Sequence, residues 1–276
     1  MVRLFYAYAS PAVPALAVRA LWKMFSPARR HLSSTHRAFL AGAEQLSWPA
    51  HASVPSGSPV HLRGYRWGTG EKTVLLVHGW GGNAVDFKSL VSLLTTAGNT
   101  VVALDLPAHG RSGGQQTNLL DMREALRACL PQLGWPHAIV AHSLGGIAVA
   151  MLLADTAHGV EKFVFVASPL RGQSAFEVGF GQVRAPQSIR RRFYRRFANW
   201  LGRPLDDFAF APRPLLKAKR LLAIYDTADE LVPHEEVRTY LAAYPDIERF
   251  LVQDVGHYRL FRHEPVLERV LQFLHQ

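Results

Sequence analysis

Ile139-Val140 runs into Ala141-His142-Ser143-Leu144-Gly145, and Gly146-Ile147-Ala148-Val149-Ala150-Met151-Leu152 follows. An apolar run, a small-residue corner and a helical pattern predict strand, sharp turn and helix, with Ser143 at the turn. Such a corner lifts a hydroxyl clear of the sheet and aims the next backbone amide at a reacting carbonyl. A serine hydroxyl is a weak nucleophile by itself. It needs an imidazole to take its proton, an acid to orient that imidazole, and donors for the oxyanion that develops. The chain supplies each. Val74-Leu75-Leu76-Val77 leads into His78-Gly79-Trp80-Gly81-Gly82, a glycine-rich loop able to aim a backbone amide. Arg220-Leu221-Leu222-Ala223-Ile224-Tyr225 ends in Asp226-Thr227-Ala228-Asp229, and Phe250-Leu251-Val252 leads to Asp254-Val255-Gly256-His257. One serine-x-glycine pair after a strand can be plain turn chemistry. It is the ordered set of serine, acid and histidine that points to acyl transfer.

The elements that must carry these residues alternate between strand and helix, which predicts a mostly parallel sheet flanked by helices. A hairpin-like stretch from Ser47 to Gly68, turning at Pro55-Ser56-Gly57-Ser58-Pro59, comes first. Strands follow at 73–78, 100–105, 137–142, 162–167, 220–225 and 248–253. Helices are expected near 84–97, 119–133, 144–156, 234–244 and 263–275. The interval between strands 162–167 and 220–225 is too long for a simple crossover and is expected to form a cap, about 169–217. Its Phe176, Phe180, Phe193, Tyr194, Phe197, Trp200 and Phe208 fit a pocket lining above Ser143, the glue of a helical lid, or both together.

Taken together these landmarks resemble the α/β-hydrolases, and more narrowly the bacterial serine hydrolases with an HGWGG loop. The matching segments are His78 to Gly82, Asp105-Leu106-Pro107-Ala108-His109-Gly110-Arg111-Ser112, Ala141 to Gly146, Asp229-Glu230-Leu231-Val232-Pro233 and Gly256-His257. Ala141 departs from the pattern, standing where a glycine is usual. The resemblance implies an α/β-hydrolase fold with a helical cap between two late strands. It also implies Ser143 as nucleophile, His257 as general base and acid, Asp229 as the orienting acid, and the amides of Trp80 and Leu144 as the oxyanion hole. Asp226 is the rival acid, disfavoured by the D-x-x-V-P match at Asp229, and Asp254 is a weaker one. His78 and His109 are expected to hold loops. His142, on a strand beside the nucleophile, is expected to point to the opposite face. Ester hydrolysis without a cofactor is the implied reaction. Thioesterase, lipase or amidase chemistry on the same triad, or a non-catalytic binding protein on this fold, are the alternatives.

Length and composition set the remaining bounds. At 276 residues and 49% hydrophobic, the chain suits one large core with an insertion. Its single cysteine, Cys129, excludes a disulfide framework and a cysteine metal cluster, fits the core of a helix, and makes a reducing cytoplasm the default compartment. Thirteen histidines raise the question of a metal, but no H-E-x-x-H or similar close spacing occurs. Charge is segregated. Residues 168–220 carry twelve Lys and Arg against Glu177, Asp206 and Asp207, and residues 1–45 carry six against Glu44, so the rest of a chain of net charge +10 is acidic. Arg190-Arg191-Arg192 and Arg195-Arg196 interleave with Phe193, Tyr194 and Phe197. This basic run suits a solvated face or peripheral contact with an anionic membrane, such as the bacterial inner membrane. No nucleic-acid-reading motif accompanies it. From Leu4 to Val18 the chain is apolar and resembles a secretory signal, so secretion stays open. Pro11 and Pro14 interrupt the run, Arg19 and Lys23 follow it, and it is too short to span a bilayer. Residues 1–46 therefore read as an amphipathic extension that packs on the core or lies on a membrane, and 47–276 as the hydrolase domain.

Overall fold

In the computed structural model, residues 6, 12–24, 32–51, 59–202, 204 and 209–276 are described. Outside them fall most of the expected hairpin turn (Pro55 to Ser58), Phe208, most of the N-terminal run including Pro11, and the charged residues Arg3, Arg29, Arg30, Arg203, Asp206 and Asp207.

Eight strands form one sheet: β1 (Glu44–His51), β2 (Pro59–Trp67), β3 (Thr73–Val77), β4 (Thr100–Asp105), β5 (Ala138–His142), β6 (Val160–Val166), β7 (Ala218–Asp226) and β8 (Glu248–Val252). Their spatial order is β1-β2-β4-β3-β5-β6-β7-β8. The β1–β2 and β2–β4 pairs are antiparallel, and every other pair is parallel. β4 and β5 are buried at every position, as expected of parallel strands covered on both faces by helices. The hairpin starts at Glu44, so the sheet takes in three residues that the sequence reading assigned to the N-terminal extension.

The helices α1 (Pro14–Met24) and α2 (Ser34–Ala41) precede the sheet. The core helices are α3 (Lys88–Thr96), extended at its start by a 3-10 turn at Ala84–Phe87, α4 (Leu119–Leu133), and α5 (Leu144–Ala154). α5 is apolar on all sides and buried from Gly145 to Ala150, which suits the helix at the centre of the layer. Then come α6 (Gly172–Val183) and α7 (Gln187–Leu201), which make the cap, and after β7 the helices α8 (His234–Ala243) and α9 (Glu264–His275).

The cap meets the core at a closed base. Leu170 accepts from the Phe210 amide at 2.9 Å, and Arg171 bridges Ala209. Glu236 on α8 binds the Leu170 amide and the Ser174 hydroxyl, each at 2.7 Å. The cap aromatics act as glue. Phe180 and Phe193 are fully buried, and with Phe176, Tyr194 and Phe197 they pack around Ala17, Val18 and Leu21 of α1. These rings form an apolar core shared by α1, α6 and α7. Leu201 of α7 is buried with Leu120 of α4, and Leu119, Met151, Phe197 and Trp200 pack against that pair, which seats α7 on the main domain. The N-terminal helix accordingly lies on the cap, not on the sheet core, because the apolar stripe of α7 offers it a partner.

Candidate active site

Ser143 stands between β5 and α5 with φ 52° and ψ −130°. A side chain in that region is strained, as expected at a strand-to-helix corner that presents a hydroxyl. Neighbouring backbone must come close, and glycine permits it. A Cβ on Gly79 would stand 2.7 Å from the Ser143 Cβ, and one on Gly145 would collide with the His78 carbonyl. Ala141 causes no such conflict. It lies inside β5 opposite Val77 and Phe165, away from the corner.

His257 lies in the loop after β8. Its Nε2 is 3.0 Å from Ser143 Oγ, and its Nδ1 is 2.7 Å from Asp229 Oδ2. A carboxylate only accepts, so Nδ1 carries the proton and Nε2 is left with a lone pair for the serine hydroxyl. Asp229 follows β7 and is itself fixed by the Leu231 amide on Oδ1 at 2.8 Å. Both side chains are almost wholly buried, 6% exposed for His257 and 1% for Asp229, so water does not compete for the bond.

Asp226 does different work. Its carboxylate accepts the amides of Ala228, Asp254 and Gly256, which pins the loop that carries His257. Burial alone raises its carboxyl, but the amides of Gly256, Ala228, Val255 and Asp254 outweigh that and hold it below the usual carboxylate range. Asp254 is exposed and contributes only its backbone.

His78 and His109 both brace loops. His78 donates from Nδ1 to the Gly79 carbonyl at 2.7 Å and accepts the Leu106 amide at 3.0 Å. His109 donates to the Pro107 carbonyl at 2.9 Å and accepts the Gly81 amide at 2.9 Å. Together they tie the Gly79–Gly82 loop to the segment after β4, so Trp80 is flanked by fixed backbone. Asp105 completes that brace by accepting the amides of Ala84 and Arg111 and the Tyr65 hydroxyl. Leu144 is the first residue of α5, where helical amides have no intrahelical acceptor.

His142 departs from expectation. Its ring lies 4.8 Å from that of His257, and Nε2–H donates to the His257 carbonyl at 3.0 Å. Strand alternation ends at Ser143, whose positive φ turns the chain, so adjacent residues both reach the same histidine. Burial, reinforced by the neighbouring His257, pushes the His142 imidazole down to about 3. The sequence showed a histidine beside the serine; only the turn geometry shows what it meets. Cys129 is buried within α4, and burial pushes its thiol up to about 12, which suits a packing role. Among the described residues no group of three or more His, Cys, Asp and Glu is arranged to hold a metal ion.

Residues 72–212 match the alpha/beta hydrolase fold family, and the chain belongs to it. Among its relatives, the dihydrolipoyllysine-residue acetyltransferase component of an acetoin cleaving system from Cupriavidus necator is 30% identical over 165 residues, 59% of this chain and 41% of that protein. A pimeloyl-[acyl-carrier protein] methyl ester esterase from Pectobacterium carotovorum is 34% identical over 106 residues, 37% of this chain and 38% of that one. The chain thus spans about two fifths of the length of the curated relatives it matches. An esterase of Pyrococcus furiosus superposes with a TM-score of 0.66 at 21% identity, covering 91% of this chain and 97% of its own. A membrane phospholipase A superposes with a TM-score of 0.63 at 17% identity, covering 99% and 96%. At these identities the superpositions establish a shared fold.

Proposed function

We propose that this protein is a serine hydrolase that cleaves a carboxylic ester through an acyl-enzyme, with the cap insertion of about 169–217 selecting the substrate. The observation that carries this reading is the unbroken chain from Asp229 through His257 to Ser143 at the strained corner. In the first step Ser143 Oγ attacks the ester carbonyl as His257 Nε2 takes its proton. The amides of Leu144 and Trp80 hold the oxyanion. Collapse breaks the bond to the leaving alcohol, which receives the proton from His257. Water then gives a proton to His257, its oxygen attacks the acyl carbon, and the acid leaves as Ser143 Oγ regains the proton. Asp229 keeps the imidazole in the tautomer both steps need. A serine at this corner does not suit the chemistries that require a carboxylate nucleophile. Likeness to methyl ester esterases favours an ester over a thioester or amide.

Ser143→Ala should lower turnover of a short-chain p-nitrophenyl ester by at least about 10⁴-fold. It should also abolish labelling by a fluorophosphonate probe while the melting temperature stays near that of the parent. Undiminished hydrolysis would refute the assignment. A parent protein that neither turns over esters nor takes up the probe would favour a binding protein on this fold.

A further inference from the structure

The cap and the N-terminal helix each carry an exposed basic stripe, and the two helices meet where Arg196 lies over Trp22. On α7, Ser188, Arg191, Arg192, Arg195 and Asn199 recur at helical spacing and are exposed, opposite the buried Ile189 and Phe193. On α1, Leu16, Arg19 and Lys23 form the corresponding exposed stripe, opposite Ala17, Val18 and Leu21. Arg196 links the two helices, its guanidinium lying 5.2 Å from the Trp22 ring.

Several arginines elsewhere are neutralised. Arg190 pairs with Glu177, Arg213 with Asp246 and Arg220 with Glu248. Arg191, Arg192, Arg195 and Arg196 make no ion pair with a described residue, and like charges this crowded repel one another unless an anion is supplied. Apolar side chains accompany them. Of the five large hydrophobic residues exposed among the described residues, two sit at the start of α1: Leu16 at 57% and Val13 at 41%. Cations beside exposed aliphatic groups match the layered chemistry of a bilayer surface, anionic headgroups above and hydrocarbon beneath. A purely polar anionic partner would leave Leu16 and Val13 without a role.

We propose that α1 and α7 together form a docking surface for an anionic lipid bilayer, with the arginines and Lys23 at the headgroups and Leu16 and Val13 entering the interface. No helix of the described residues is long and apolar enough to cross a membrane, so the contact is peripheral. The surface does not involve Ser143, and its test reads binding rather than turnover, so either proposal can fail without the other.

The full chain is sedimented with vesicles of phosphatidylcholine alone and of phosphatidylcholine mixed with phosphatidylglycerol, at low and high salt. Binding should require phosphatidylglycerol and disappear as the screening length falls from about 10 Å at 0.1 M to 3 Å at 1 M. The combined variant R191Q/R192Q/R195Q/R196Q should lose about fivefold in partitioning for each cation removed, roughly two to three orders of magnitude in all. The matching Arg→Lys variant should keep the binding. Leu16→Gln should weaken it while leaving its salt dependence intact. If the glutamine variant fails to fold, the lipid and salt dependence of the parent and the Leu16→Gln result decide. Equal recovery with neutral and anionic vesicles, no binding at low salt, or full binding by the folded glutamine variant would overturn the proposal. So would retention of an immobilised acidic carrier protein or RNA oligonucleotide through these arginines when vesicles do not bind.

Discussion

His142 shows how a residue outside the three-member chain shapes it. The imidazole sits under His257, donates to its carbonyl, and is neutral over the ordinary pH range because burial opposes its charge. Unfolding frees it to bind a proton near its ordinary value of 6.5, whereas the folded protein resists protonation down to about 3. Between those limits the unfolded state holds the extra proton, so its contribution to stability is complete above pH 6.5 and is lost as pH falls. The slope from this one group is at most about 1.4 kcal/mol per pH unit. Replacing it with glutamine, which retains a donor but cannot titrate, should flatten the acid limb of urea-unfolding stability measured from pH 7 down to 4. An unchanged limb would show that His142 titrates normally in the fold. Asp229 was separable from Asp226 in the sequence because the D-x-x-V-P spacing marks it. The role of Asp226 was not, because the amides it gathers come from Ala228 and from a loop nearly thirty residues away.

At the scale of elements, the pattern of apolar runs was enough to place the strands and core helices, α4 at the same ends (119–133) and most others within a few residues. Periodicity reports which face of an element is apolar but not what covers it. The aromatic stripe of α7 therefore read equally well as pocket lining and as glue, and only the fold shows Phe193 and Phe180 closed over by α1. The same limit hid the destination of α1, whose amphipathic pattern was plain. Because Phe193 is fully buried among residues of α1, α6 and α7, Phe193→Ala should cost about 3–5 kcal/mol of local stability. The loss should appear as faster amide exchange in α1 and α7 together, with the strands β3 to β6 still protected. Exchange that rises in α7 alone would mean that the two helices are not one cooperative unit.

Over the whole molecule, charge and architecture divide along the same line. The acidic core carries the hydrogen-bonded chain of Asp229, His257 and Ser143, and the basic residues gather on the cap and the N-terminal segment. Such crowding loads the cap with repulsion that added salt relieves. Raising ionic strength from 0.1 to 1 M should slow amide exchange in α7 while leaving that of β4 and β5 unchanged; uniform slowing across the chain would instead indicate a general solvent effect. The composition revealed this division at once, since counting charges needs no structure.

The base of the cap has a further meaning for how such proteins diversify. The Phe210 amide meets the Leu170 carbonyl, and Arg171 bridges Ala209, so the chain leaves and re-enters the sheet layer at one sealed junction. Segments of other lengths can be exchanged between those two points with little change in closure entropy and none in strand register. α1, however, buries its apolar face on that segment and would be stranded by the swap. Cap and N-terminal helix therefore depend on one another, and a chimaera that grafts one without the other should expose the apolar face that each covers.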